Sequence, residues 1–291
     1  MSVSSPVSHV FTSQRLKLHY VDWGNPAAPP LLLVHGGRDH ARSWDAVAQG
    51  LCTDWHVIAV DLRGHGDSSW TSDGNYEMNA FVFDLAELID QLELAPVTII
   101  AHSLGGSIAT RYAGLYPNAV RKLINIEGLG PSPTMLAERE TRDYADTVRG
   151  WIAAHRQASQ RTARRYASFE EARSRMKAAN TFLSDAQAHH LTLHGANEND
   201  DGTWSWKFDP LLNIWSITTT PRDTVHALWR AVTCPVLLVY GAKSWASNPA
   251  NDGRISSFQN ARVVEFSESG HWVHHDELTR FMAESRDFLT E

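Results

Sequence analysis

Ala101-His102-Ser103-Leu104-Gly105 lies between two runs that ask for different secondary structures. Val97-Thr98-Ile99-Ile100 is an apolar run of strand character, and Gly106-Ser107-Ile108-Ala109 is a small-residue run that follows as a helix. A buried strand therefore turns abruptly into a helix with one serine at the apex. Such a turn crowds the backbone, so the positions two before and two after the serine must be small, as Ala101 and Gly105 are. The geometry pushes the Ser103 hydroxyl out of the sheet and sets the next amide N–H, that of Leu104, beside it. The competing reading is a plain helix-capping serine, so the surroundings decide.

Outward from this turn, apolar runs bounded by turn signals recur with helix-length segments between them: Leu31-Leu32-Leu33-Val34, His56 to Val60, Val97 to Ala101, Lys122 to Ile126, Val236 to Tyr240 and Arg262 to Phe266. Continuous apolar runs alternating with helices predict a mostly parallel twisted sheet buried on both faces, an α/β fold. Val10-Phe11 and Leu16 to Tyr20 read as an antiparallel pair at its edge. The strand rhythm stops between Glu127 and Thr233, where helical patterns begin near Thr134, Ser168 and Ser184. Ser168-Phe169-Glu170-Glu171 reads as a capping box. Trp204 to Phe208 alternates like a short extended segment. The expected organisation is a core of residues 1–127 and 233–291 interrupted by a helical lid at 128–232. Open α/β sheets bind ligands at the C-terminal edge of their strands, the edge such a lid would cover.

With 291 residues, the chain suffices for one large α/β domain carrying such an insert. Its formal charge of −7 argues against nucleic acid or an acidic membrane surface as the main partner. Residues 128–232 hold 13 Lys/Arg against 12 Asp/Glu, so no basic surface is implied there either. Cys52 and Cys234 have no metal-ligand spacing. Cys234 opens the run Pro235 to Val239 and reads as a small core residue, a usage that suits a reducing compartment. Met1-Ser2-Val3-Ser4-Ser5-Pro6 lacks the order of a secretory signal, and no apolar run approaches the ~20 residues of a membrane span. A cytoplasmic location is the expectation. Five of the eleven tryptophans (Trp151, Trp204, Trp206, Trp215 and Trp229) fall within the stretch between Glu127 and Thr233, where core packing and a pocket for an apolar substrate are the two readings.

Acyl transfer by serine needs a hydroxyl, a base, a group that orients the base, and donors for the oxyanion. Ser103 is the hydroxyl. His271, in Ser269-Gly270-His271-Trp272, follows the last strand and is the expected base; the chain order Ser…acid…His applies to this fold. His274 and His275 are expected on the next helix, pointing away. Leu104 offers one oxyanion N–H at a helix N-terminus. The second is assigned to Gly37, in His35-Gly36-Gly37 after Leu31–Val34, because glycine lets a substrate approach the backbone closely. His35 itself is expected to bond the loop backbone.

The acid departs from the common pattern. The position three residues beyond Gly241, past the strand Val236 to Tyr240 where an orienting aspartate would be sought, is Ser244. A carboxylate instead ends the preceding strand, in Ile124-Asn125-Ile126-Glu127. Neighbouring strands lie about 4.8 Å apart, so glutamate one strand over can still reach the histidine. Glu127 is the expected orienting acid, with Asp252 and Asp276 as competitors and a hinge glutamate as the bland alternative.

Together, His35-Gly36-Gly37, Asp61-Leu62-Arg63-Gly64-His65-Gly66-Asp67-Ser68, Ala101 to Gly105 and Gly270-His271 resemble the α/β-hydrolase superfamily over residues 8–127 and 232–290. The displaced acid looks like that of one group of haloalkane dehalogenases. Those enzymes, like epoxide hydrolases, use an aspartate nucleophile, so Ser103 speaks against both activities. Arg165 to Ala172 is similar to the serine hydrolase-like proteins. The resemblance implies a serine hydrolase acting on carboxylic esters, with no metal or organic cofactor, and the aromatics of the lid favour small apolar or aromatic esters. Lactone, thioester or carbon–carbon bond hydrolysis would use the same groups. A non-catalytic ligand receptor and cofactor-free oxygenation are the alternatives from other classes, since a fold hosts many functions.

Overall fold

Alternation along each central strand sends successive side chains to opposite faces, and both faces are buried. Leu31 and Leu33 face one layer of helices while Leu32 and Val34 face the other, all four 1% exposed or less. The computed structural model describes residues 5–160, 164–214, 216–218 and 220–291. Trp215, one of the five tryptophans singled out above, lies outside them.

The sheet is built from β1 (Val7–Ser13), β2 (Leu16–Asp22), β3 (Pro30–Val34), β4 (His56–Val60), β5 (Val97–His102) and β6 (Val120–Ile126). A small hairpin of β7 (Ala196–Glu198) and β8 (Trp204–Trp206) stands apart, and β9 (Val236–Gly241) and β10 (Ala261–Phe266) complete the main sheet. Its order is β1-β2-β4-β3-β5-β6-β9-β10. β1 and β2 pair antiparallel at one edge, β2 runs antiparallel to β4, and every pairing from β4 to β10 is parallel. The apolar runs named above thus all lie in the parallel part.

Helices α1 (Asp45–Leu51), α2 (Met78–Gln91) and α3 (Leu104–Leu115) precede the insert. Between β6 and β9 come α4 (Pro133–Glu140), α5 (Tyr144–Gln160), α6 (Phe169–Ala179), α7 (Asp185–Gly195) and α8 (Arg222–Ala231). The chain closes with α9 (Pro249–Asp252), α10 (Val273–Asp276) and α11 (Leu278–Thr290). One face of the sheet is covered by α2, α3 and α8 through Phe81, Leu85, Leu88, Ile108, Tyr112 and Trp229. The other is covered by α1, α10 and α11 through Val47, Leu51, Val273, Phe281 and Phe288. Helix α8 is therefore part of the core layer although the sequence reading grouped it with the insert; Gly114 of α3 lets the Leu228 backbone approach where a Cβ would fall 2.3 Å from its carbonyl oxygen.

Within the insert, Ser184 caps α7 in a full capping box with Gln187. Ser168 caps α6 through the Glu171 N–H, but the Glu171 carboxylate takes the N–H of Ala167 instead of Ser168. The first helix begins at Pro133 with Ser132 as its cap, one residue before the Thr134 start expected from sequence. Helix α5 is additional to the helix starts expected from sequence; Asp143 precedes it, and its Oδ1 accepts the Asp146 N–H at 3.0 Å. Trp206 and Tyr166 share a hydrogen bond, and Trp204 sits edge-on to Phe169, so these tryptophans pack within the insert. Cys52 and Cys234 are free thiols, the second buried. Among the described residues no helix is long and apolar enough to cross a membrane.

Candidate active site

Strand order places the pieces. The serine leaves the end of β5, the glutamate the end of its neighbour β6, Ser244 follows β9 beyond that, and His271 follows β10. Ser103 itself holds φ 51° and ψ −112°, a conformation that side chains other than glycine rarely adopt. Such a residue costs on the order of 1–3 kcal/mol and persists only where its surroundings fix it. Here Ser103 N–H donates to the Ile126 carbonyl at 2.8 Å, and Ser107 N–H donates to the Ser103 carbonyl at 3.0 Å. Gly105 shows why the turn tolerates no side chain two residues on: a Cβ there would lie 2.5 Å from the carbonyl oxygens of both Val34 and His35.

From that turn a chain of hydrogen bonds runs inward. Ser103 Oγ lies 3.0 Å from His271 Nε2. His271 Nδ1–H donates to Glu127 Oε2. Because that oxygen accepts, the proton sits on Nδ1 and Nε2 faces the hydroxyl as an acceptor. The Glu127 side chain is fully buried and its backbone also adopts a positive φ, 50°. Its Oε1 accepts the Gly241 N–H at 2.8 Å and its Oε2 also accepts the Ser244 hydroxyl at 2.6 Å. Ser244 Oγ in turn accepts from Ala246 N–H at 3.1 Å, which leaves its proton for the carboxylate. Ser244 thus keeps a role that sequence reasoning did not find. It cannot replace the acid, but it helps hold the acid that comes from one strand over.

Asp252 and Asp276 lie outside this chain. Asp252 ends α9 and pairs bidentately with Arg254, at 2.9 Å to each oxygen, and accepts from Ser247. Asp276 accepts the Gly270 N–H at 2.8 Å; burial pushes its carboxyl up to about 6. His35 is fully buried, with Nδ1–H donating to the Gly36 carbonyl at 2.6 Å and Nε2 accepting the Leu62 N–H at 3.0 Å. That grip fixes the Gly36–Gly37 peptide. In a trans peptide the N–H points opposite to the C=O, so the Gly37 N–H is turned away from His35. The N–H groups of Gly37 and Leu104 have no protein acceptor among the described residues. The glycine forced by close approach is Gly36, where a Cβ would fall 2.6 Å from His102 Nδ1. Around Gly37 the same direction is open for 4 Å.

His274 corrects the sequence reading. It does not point away but is 1% exposed, stacked on Trp44 at 4.4 Å and against His102 at 4.9 Å. His102, next to the serine, donates from Nε2 to the His271 carbonyl at 3.0 Å. The segment Asp61 to Ser68 is scaffold: Asp61 accepts from Ala41 N–H, Asp67 N–H and His19 Nδ1, at 2.6 to 2.9 Å. Arg63 forms a buried fork with Asp84 at 2.6 and 2.8 Å.

The insert is fastened to this rim. Gln187 of α7 donates to the His275 carbonyl at 2.8 Å, His40 donates to the Leu191 carbonyl at 3.0 Å, and His190 donates to the Arg42 carbonyl at 2.9 Å. Phe182 lies over Gly270, and Trp245, 68% exposed, lies over the His271 ring with centroids 4.8 Å apart. A serine hydroxyl, an imidazole and a buried carboxylate in series, beside two unpaired N–H groups, can deliver an alkoxide to a carbonyl and receive the resulting oxyanion.

Residues 29–278 match the family profile described as alpha/beta hydrolase fold. The chain belongs to the α/β-hydrolase fold family. Among members of that family, it is 32% identical over 275 residues to a serine hydrolase-like protein of Danio rerio, covering 92% of this chain and 83% of that one. It is 28% identical over 279 residues to Esterase Rv0045c of Mycobacterium tuberculosis, covering 94% and 87%. The thioesterase domain of the curacin biosynthetic pathway superposes with a TM-score of 0.82 at 22% identity, over 99% of this chain and 100% of that one, a likeness of fold.

Proposed function

We propose that this α/β-hydrolase is a serine hydrolase that cleaves carboxylic esters of small apolar or aromatic molecules through an acyl-enzyme on Ser103. The observation that carries the reading is the continuous hydrogen-bonded series Ser103–His271–Glu127. His271 takes the proton of Ser103 as the hydroxyl attacks the ester carbonyl. Glu127 holds the imidazole in the productive tautomer and stabilises the imidazolium. The amides of Gly37 and Leu104 receive the oxyanion; each such donor is worth about 3–4 kcal/mol of barrier. His271 then protonates the departing alkoxide, and later activates water to hydrolyse the acyl-enzyme. The residues used are all protein groups of this chain.

Ester cleavage is favoured by the likeness to a relative named as an esterase. Preference for apolar or aromatic groups rests on Trp245 and Phe182, two exposed rings beside His271 and Gly270. Burying an aromatic group against such rings contributes binding without asking for a charged partner. A panel of p-nitrophenyl and benzyl esters of graded acyl length, run alongside several lactones, tests the reading. Turnover that exceeds that of the Ser103→Ala variant and is greatest on the esters is expected. Turnover equal to that variant's across the panel would overturn it.

A further inference from the structure

A second cluster lies beneath the rim. Asp39, His274 and His275 each offer a ligand atom, and these atoms all lie within 4.8 Å of one another. Asp39 stands in the loop after β3, two residues beyond Gly37, and is 5% exposed. The two histidines occupy α10, three and four residues beyond His271. His274 is 1% exposed, and neither of its ring nitrogens has a hydrogen-bond partner; the buried Nε2 of His275 has none either. Buried polar atoms are nearly always paired, and leaving one unpaired costs on the order of 1–3 kcal/mol. One ring nitrogen from each histidine faces the Asp39 carboxylate, and an occupant that accepts lone pairs would give this buried cluster its partner.

We propose that Asp39, His274 and His275 form a binding site for a divalent transition-metal ion of the zinc class, which ties the loop of Gly37 to the segment that follows His271. Two imidazoles and a carboxylate suit zinc, nickel, copper or iron rather than calcium or magnesium. Three protein ligands with a water in the fourth position are a common zinc arrangement. At zinc bond lengths of 2.0–2.2 Å the ligand atoms of a tetrahedral site are roughly 3.4 Å apart, so these three need to draw together by at most about 1.4 Å. Asp39 Oδ1 accepts the His40 N–H at 2.9 Å and its Oδ2 the Ser43 hydroxyl at 3.0 Å. These bonds orient the carboxylate and leave lone pairs for an ion, the outer-shell support that metal ligands ordinarily have.

A rival cluster, Asp45 with His190 and His194 of α7, is poorer. Arg42 already forks onto Asp45 at 2.9 Å to each oxygen, and its positive charge opposes a cation there.

The test uses full-length protein stripped with a chelator and titrated with Zn2+ by calorimetry and Co2+ by visible absorption. One equivalent is expected, with a rise in Tm of about 4 °C at a hundredfold excess over Kd. His275→Ala, at a half-buried residue, and Asp39→Asn should each weaken binding at least tenfold, while His194→Ala leaves it unchanged. Ser103→Ala should bind as the parent does, so failure here is separable from failure of the hydrolytic reading. Absence of saturable binding, or loss of it in His194→Ala and not in His275→Ala, would overturn the proposal. The first result would leave a buried water as the partner of His274.

Discussion

Replacing Glu127 by Gln is the perturbation with the most sharply defined consequence. Three donors converge on this carboxylate: Gly241 N–H on Oε1, and the Ser244 hydroxyl and His271 Nδ1–H on Oε2. A glutamine can satisfy Gly241 only with its carbonyl oxygen at the Oε1 position. Its NH2 then takes the place of Oε2, facing two groups that were donating. Ser244 can rotate its proton away, but His271 must move its proton to Nε2 to accept from the amide. Nε2–H then faces Ser103 Oγ, and the base is lost although every heavy atom stays in place. The same tautomer error in a serine protease triad lowers kcat by about 10⁴, or roughly 5 kcal/mol of barrier. The assay is steady-state hydrolysis of the best ester from the panel, with Tm measured in parallel. The expected result is a 10³- to 10⁴-fold fall in kcat with KM within threefold of the parent and a folded protein. A fall of less than tenfold in a folded Glu127→Gln variant would refute the assignment of the acid. If Asp252→Asn cost more than Glu127→Gln, the orienting role would pass to that residue.

Further outcomes follow from the same contacts. Because Ser244 sits beside Glu127 at the end of β9, Ser244→Asp in the Glu127→Gln background should recover at least tenfold of the lost kcat; no recovery would mean that the two positions do not share one orienting function. Asp84→Asn strands a buried Arg63 guanidinium, both side chains being at most 4% exposed, and should cost about 3–5 kcal/mol in urea unfolding; a loss under 1 kcal/mol would contradict a buried, coupled pair. Burial lowers the pKa of His35 and takes that of His65 to about 3. Their folded pKa lies below the unfolded value of about 6.5, so the stability they allow is present above that pH and falls as pH drops, by roughly 1 kcal/mol per pH unit for each group. Tm should decline between pH 6.5 and 5; a flat Tm across that range would show that these imidazoles charge without penalty.

The parts of this arrangement that sequence reveals are those set by local pattern. The parallel strands were legible because residues such as Leu31 to Val34 are apolar at every position, which only a doubly covered strand requires. Ser103 was legible because the crowding at its turn dictates its neighbours' size, and Glu127 because it ends a strand whose neighbour ends at Ser103. What stayed hidden depends on geometry that no short window carries. His274 is expected on the helix after His271, pointing away. The segment is instead broken at Glu277, whose φ −125° and ψ 52° separate the one-turn helix α10 from α11. His274 lies on that short turn and stacks on Trp44. The fork between Arg63 and Asp84 and the donation from Ser244 to Glu127 join residues 21 and 117 positions apart. They emerge only once strand order is known.

The central claim, that Ser103 is a base-activated nucleophile, is tested most directly by a fluorophosphonate probe followed by intact-mass analysis and peptide mapping. One adduct per chain on Ser103, formed within minutes by the parent and absent in His271→Ala, is the predicted result. A folded parent that takes up no probe, or takes it up on another residue, would contradict it.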